Sequence, residues 1–216
     1  MISNDMPNLH MMDSGKGYFL KELESEGLFD AGYNINPLFG LEAEEEFYYV
    51  YAVLNSPEYK RRYAADLKKE SPRIPLLANK QRYVEVGREL VNLRLNYDEQ
   101  PQWPGVRVSS LGENYRVKKM KHPKKGVLNT ILYNADISIE NIPEQAYEFV
   151  VNGKPAIEWI IDQYTFKDDK KTGIIDDPNE FSDNPKYILN LLLSVITVSM
   201  RTLELIEELA EFEIQE

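Results

Sequence analysis

Between Trp103 and Lys125 the chain carries seven cations (Arg107, Arg116, Lys118, Lys119, Lys121, Lys124 and Lys125) against one acid, Glu113. That density of positive side chains suits contact with phosphate oxygens. Asn114, Asn129 and Asn134 lie in and beside the window. A carboxamide offers a donor and an acceptor at the spacing of an adenine edge, and Arg116 or Lys119 matches the two acceptors of guanine. A second basic window, residues 57–82, holds eight Lys/Arg against three acids and includes Lys60, Arg61 and Arg62. The candidate phosphate contacts are therefore Lys60, Arg61, Arg62, Arg107, Lys118, Lys121, Lys124 and Lys125. The candidate base readers are Asn114, Arg116, Lys119, Asn129 and Asn134, with Tyr115 and Tyr133 beside the sugars or in the core. On charge and pattern alone a second reading stands beside this one: an ordinary sheet edge whose lysines keep it from pairing with other edges.

No catalytic constellation accompanies these residues. The two histidines, His10 and His122, are isolated from any second ligand at metal spacing, and the chain has no cysteine. No serine sits in a G-x-S-x-G turn. Asp168, Asp169, Asp176, Asp177 and Asp183 lack the register of a calcium loop. Gly15-Lys16-Gly17 lacks the spacing of a phosphate loop. The sequence thus predicts a binding module without metal, cofactor or catalytic residues.

The elements that must position these side chains are mostly helical. Phe47, Val50, Tyr51 and Leu54 recur at helical spacing, and Asn55-Ser56-Pro57 stops that helix and starts another. Helices are predicted at about 41–54, 57–69 and 80–95, the second leaving through Pro72 and Pro75 in extended form. Tyr115–Lys121 and Thr130–Ile139 alternate as two strands of a hairpin whose loop spans His122 to Gly126. A two-stranded ribbon of this kind fits a major groove. Pro143 opens a helix to Val151 that Gly153 ends, Pro155 opens another to Tyr164, residues 165–185 are acidic turns, and a last helix covers about 185–212. Tyr51, Leu54, Tyr63, Leu67, Leu90, Trp159, Leu192 and Val195 are the expected core. The fold class is α+β, helix-dominated, with a small antiparallel sheet around 105–140 and a long C-terminal helix. A weakly patterned segment, 1–40, with a strand near Tyr18-Phe19-Leu20, packs on a single domain over 41–216.

Fourteen tyrosines, eight phenylalanines and two tryptophans support a folded core. The net charge of −11 argues on its face against nucleic acid, but the two basic windows place the acidic excess elsewhere, as for one basic surface on an acidic body. The longest apolar run, Ile188 to Val198, is broken by Asn190, Ser194 and Thr197 and reads as a buried helix, not a membrane span. Lack of cysteine and of a signal pattern fits a cytoplasmic protein.

Several blocks in order resemble one family. Phe47 to Leu76, FYYVYAVLNSPEYKRRYAADLKKESPRIPL, is similar to the C-terminal specificity (target-recognition) region of type ISP restriction–modification enzymes. Pro7-Asn8-Leu9-His10 resembles that family's P-D-L-H element. Asn141-Ile142-Pro143 through Gly153, Ala156, Ile157, Glu158 and Trp159 resembles its N-I-P…G-x-x-A-I-E-W block, and Asp177-Pro178-Asn179 and Asp183–Ile188 resemble its D-P-N and D-x-P-x-Y-I elements. The resemblance implies a non-catalytic domain that holds double-stranded DNA for the methyltransferase and helicase domains of the same longer chain. The alternative it leaves is a scaffold contacting those domains with little DNA contact.

Overall fold

Ser56 closes one helix and opens the next, as Asn55-Ser56-Pro57 requires. Its backbone N–H donates to Ala52 O at the end of α1 (Ala43–Asn55), and its hydroxyl accepts from Tyr59 N at the start of α2 (Pro57–Arg62). These details come from a computed structural model that describes residues 39–215. The expectations for Pro7–His10, Gly15–Gly17, the strand near Tyr18 and the packing of the N-terminal segment lie outside the described residues. The single domain expected over 41–216 comprises two compact units, 39–95 with 204–215, and 96–203.

In the first unit α1 packs on α3 (Lys80–Leu95). The buried positions of α1 are Tyr49, Ala52 and Val53, whereas Phe47, Val50, Tyr51 and Leu54, the expected inward stripe, are half-buried. Apolar residues lie on both sides of this helix, so periodicity alone does not choose its face. Close approach does: a Cβ on Gly87 of α3 would lie 2.0 Å from Tyr48 O. Gly87→Ala therefore has no unstrained position, because the neighbour is backbone. It is expected to cost at least the roughly 1–3 kcal/mol of an overpacked core, read as a lowered denaturant midpoint. An unchanged midpoint would mean that the two helices do not meet at this point.

α2 ends at Arg62, and 63–69 continues as turns, shorter than the expected helix to 69. Ala64, Ala65, Asp66, Lys68 and Lys69 are exposed and Tyr63 and Leu67 only half-buried, so little apolar surface pays for a longer helix. The chain leaves through Pro72 and Pro75 in extended form, and Leu77 bridges to Ile214.

In the second unit the sheet order is β1-β3-β2, all antiparallel, with β1 (Arg107–Ser110), β2 (Thr130–Leu132) and β3 (Ile137–Glu140). The predicted hairpin differs. Thr130–Ile139 is not one strand: it folds back on itself at Tyr133–Asp136, and Ile131 faces Ile139. Tyr115–Lys121 forms no strand, only one bridge between Lys121 and Leu132. The predicted helix 143–151 is likewise a single 3₁₀ turn, Glu144–Tyr147, followed by a hairpin of β4 (Val150–Val151) and β5 (Lys154–Pro155). Asn152 and Gly153 both have positive φ, 50° and 79°, as a type I′ turn demands, so Gly153 serves a hairpin and not a helix end.

α4 (Ala156–Gln163) follows, then a hairpin of β6 (Lys167–Asp169) and β7 (Ile174–Asp176), where acidic turns are expected. α5 (Tyr187–Glu207) belongs to the second unit up to Leu203. It is long and apolar enough to cross a membrane by length and composition. Nearly all of 188–199 is nevertheless buried in the protein, and Ser194 and Thr197 are satisfied there. Ser194 donates to Tyr97 O at 2.6 Å and accepts from Gln100 N at 2.8 Å, and Thr197 donates to Pro101 O at 2.7 Å. Those bonds identify a core helix.

Candidate nucleic-acid interface

Residues 114–118 form no strand, yet each of their carbonyls accepts a hydrogen bond from a group distant in sequence. Asn134 Nδ2 donates to Asn114 O at 2.8 Å and to Arg116 O at 3.1 Å. The Tyr133 hydroxyl donates to Tyr115 O at 2.9 Å. Asn179 acts as a substitute strand neighbour: its Oδ1 accepts from Val117 N at 2.7 Å and its Nδ2 donates to Val117 O at 2.8 Å. Phe166 N donates to Lys118 O at 2.9 Å. The irregular backbone is therefore satisfied without a ladder.

Val117 and Met120 are buried beneath this segment, and Arg116, Lys118, Lys119 and Lys121 stand exposed between and beside them. Lys121 and Leu132 exchange both backbone hydrogen bonds and close the loop that carries Lys124 and Lys125, both exposed. His122 anchors that loop. Its Nδ1 lies 3.0 Å from Thr130 O and its Nε2 2.8 Å from Glu158 Oε1, which is a structural role. Among the described residues none of Lys118, Lys119, Lys121, Lys124 and Lys125 forms an ion pair. Arg107 is exposed at the start of edge strand β1. Segment 116–125 of the second unit thus exposes its cations, and the backbone that carries the first of them is braced.

The amides divide. Asn134 spends its whole capacity on backbone, because its Oδ1 also accepts from Asp136 N and Ile137 N at 2.9 and 2.8 Å. That makes it a brace, with no side-chain group left over for a base edge. Asn114 accepts from Arg116 N at 3.1 Å and makes a long contact, 3.4 Å, to Asp136. Asn129 is exposed, and its side-chain oxygen accepts from the neighbouring Thr130 hydroxyl at 3.1 Å. Tyr133 is fully buried, which pushes its hydroxyl far above the usual range and keeps it a donor. Tyr115 is half-buried with the Lys186 ammonium 4.9 Å over its ring. A 270 Å³ cleft opens beside Asn114, Tyr115 and Arg116; Glu113 and Asp183 on its wall make it a poor seat for phosphate.

The cations 60–62 lie in the first unit and are more engaged. Arg61 makes two hydrogen bonds to Glu58, at 2.9 and 2.6 Å, and Arg62 lies 3.8 Å from the same carboxylate and over the Phe212 ring. Burial, with the Arg94 charge added, pushes Lys60 below the usual lysine range. The Arg61 side chain is 75% exposed, so its pair is the weak, exchangeable kind.

Sequence reasoning misses Asp177 and Asn179 as parts of this surface, although both lie in the D-P-N element. Asn179 braces a residue 62 positions away, a relation no local pattern carries. Among the described residues no group of His, Asp or Glu is arranged to hold a metal ion.

The chain matches the family model of the Type ISP C-terminal specificity domain over residues 1–191. Similar solved structures include a nuclease-deletion mutant of the Type ISP restriction-modification enzyme LlaGI in complex with a DNA substrate mimic, 73% identical, TM-score 0.76, covering 80% of this chain and 14% of that one. The ATP-dependent Type ISP restriction-modification enzyme LlaBIII bound to DNA is 64% identical, TM-score 0.77, over 82% of this chain and 12% of its own. A DrdV–DNA complex is 26% identical, TM-score 0.65, over 78% and 18%. No curated protein matches the sequence.

Proposed function

The chain belongs to the Type ISP C-terminal specificity-domain family, and from that premise we propose that it is a non-catalytic DNA target-recognition domain acting within a longer, cytoplasmic restriction–modification enzyme. It holds duplex DNA so that methyltransferase and helicase parts of the same polypeptide act on it. Lys118, Lys121, Lys124 and Lys125, with Arg107 and the exposed Arg61 and Arg62, contact phosphates, and Lys60 contributes its charge from a half-buried position. Asn114, Arg116, Lys119 and Asn129 face base edges. The observation that carries this reading is the braced segment 114–118, because a recognition surface must hold its side chains in place before the ligand arrives.

Hydrogen exchange on the 216-residue chain tests it. With saturating duplex, amides of 113–127 gain protection. If that stretch exchanges at the same rate with and without saturating duplex, the DNA surface lies elsewhere. One observation favours the scaffold reading for the β6–β7 hairpin. Ile174 and Ile175 of the β6–β7 hairpin are 66% and 65% exposed, and all six strand residues are exposed. That suits contact with another domain of the longer polypeptide.

A further inference from the structure

Arg116, within the braced segment, is tied to an acid that is itself held in place. Its Nη2 donates to Asp177 Oδ2 at 2.6 Å. Asp177 is not a free surface carboxylate: its side chain is 12% exposed, and its Oδ1 accepts from Asn179 N at 2.9 Å and Asn179 Nδ2 at 2.6 Å. Asn179 in turn holds both backbone groups of Val117. At its other end Arg116 is held by its own backbone, whose carbonyl accepts from Asn134 and whose N–H donates to Asn114. Both ends of the side chain are thus fixed, yet 66% of it is exposed. These hydrogen bonds, the Asn179 backbone N–H first, hold the Asp177 carboxyl below the usual carboxylate range, so it stays charged.

We propose that Arg116, buttressed by Asp177, is the residue that reads a guanine through its O6 and N7 in the major groove. The inference rests on the DNA-recognition reading above and chooses within it. A guanidinium needs its fork held in the plane of the base to donate two parallel bonds, and an acid gripping one donor from behind supplies that constraint while the rest of the fork stays exposed. Lys119 has no such support and carries a point charge without a planar fork, so the two-bond guanine reading falls to Arg116 and not to it. The acid has a second consequence. A carboxylate at a DNA surface repels phosphate, so its charge weakens binding to every sequence; its Oδ1 serves the turn at Asn179, and its Oδ2 is the oxygen that orients the arginine.

The test is binding of the 216-residue chain to fluorescent duplexes at low ionic strength. Guanines enriched by selection from a randomised pool are replaced singly by 7-deazaguanine, which keeps O6, lacks N7 and leaves the protein unaltered. At one position wild type is expected to lose roughly tenfold in affinity. Arg116→Ala and Arg116→Lys lose about as much on the natural site, and 7-deazaguanine then costs them nothing further. Asp177→Asn has effects of opposite sign: affinity for scrambled duplex holds or rises, while preference for the selected site falls roughly tenfold. If 7-deazaguanine is neutral for wild type at every enriched guanine, or its cost adds in full to that of Arg116→Ala, or Asp177→Asn keeps its preference, the inference is overturned and DNA recognition by the lysines still stands. If wild type binds no duplex at all, both fall together.

Discussion

Glutamine at Lys118, Lys119, Lys121, Lys124 and Lys125 together weakens DNA binding for every sequence and flattens its salt dependence. Each lost phosphate contact removes roughly 0.9 from the slope of log affinity against log salt, so a loss of up to about 4 is expected if most of the five touch backbone. The five side chains are exposed, and among the described residues they form no ion pair, so the substitutions remove charge without disturbing packing. Preference between selected and scrambled duplex should survive better than affinity, because phosphate contacts position and base contacts specify. The chain's net charge of −11 works against binding, which makes the local run of cations more necessary and the salt dependence more diagnostic. The measurement is a titration of affinity against salt for both duplexes. A variant with wild-type affinity and slope would remove this window from the DNA surface and leave the scaffold reading in its place.

Tyr49→Ala should remove more stability than any other single truncation in the first unit, roughly 3–5 kcal/mol as for other large aromatic truncations. The ring is fully buried against Phe39 and Tyr83. Its hydroxyl donates to Pro75 O at 2.6 Å and accepts from Leu77 N at 2.9 Å, tying α1 to the extended exit. Tyr49→Phe keeps the ring but strands both backbone groups, at about 1–3 kcal/mol. Burial raises the hydroxyl from 10.0 to about 12. The folded protein therefore binds this proton more tightly than the unfolded chain. The contribution is complete below pH 10 and is lost as pH rises from about 10 towards about 12, by up to roughly 2–3 kcal/mol. Denaturant titrations of wild type and Tyr49→Phe from pH 8 to 11 check it. A wild-type stability as flat with pH as that of Tyr49→Phe would place the hydroxyl outside the core.

How much of this was legible differs element by element. α3 and α5 appear where their periodicity puts them, because each buries a long apolar face whose spacing is written locally. The phase of α1 was not legible, since apolar residues occur on both its sides and the choice falls to the close approach at Gly87. Of the expected core, Leu90, Leu192 and Val195 are buried, while Tyr51, Leu54, Tyr63, Leu67 and Trp159 are half-buried. Asn152-Gly153 carries a hairpin signal, but after Pro143 and the apolar run that follows it Gly153 reads in sequence as a helix end.

By itself the sequence determined the helix boundary at Ser56, the extended exit through Pro72 and Pro75, the long final helix, the α+β class, the basic windows and, through ordered blocks, the family. Each depends on residues near one another in the chain, through backbone steric limits, capping and helical periodicity. Tertiary structure alone decided that 115–121 is a braced loop and not a strand, that the Asn134 side chain is bonded to its backbone, and that Asp177 and Asn179 stand beside it. The alternating pattern of 115–121 specifies which side chains are buried, Val117 and Met120 among them, but not what satisfies the backbone between them. A carbonyl accepts from a strand or from a side-chain amide equally well, and which donor stands there is settled only when residues 18 to 62 positions apart fold together.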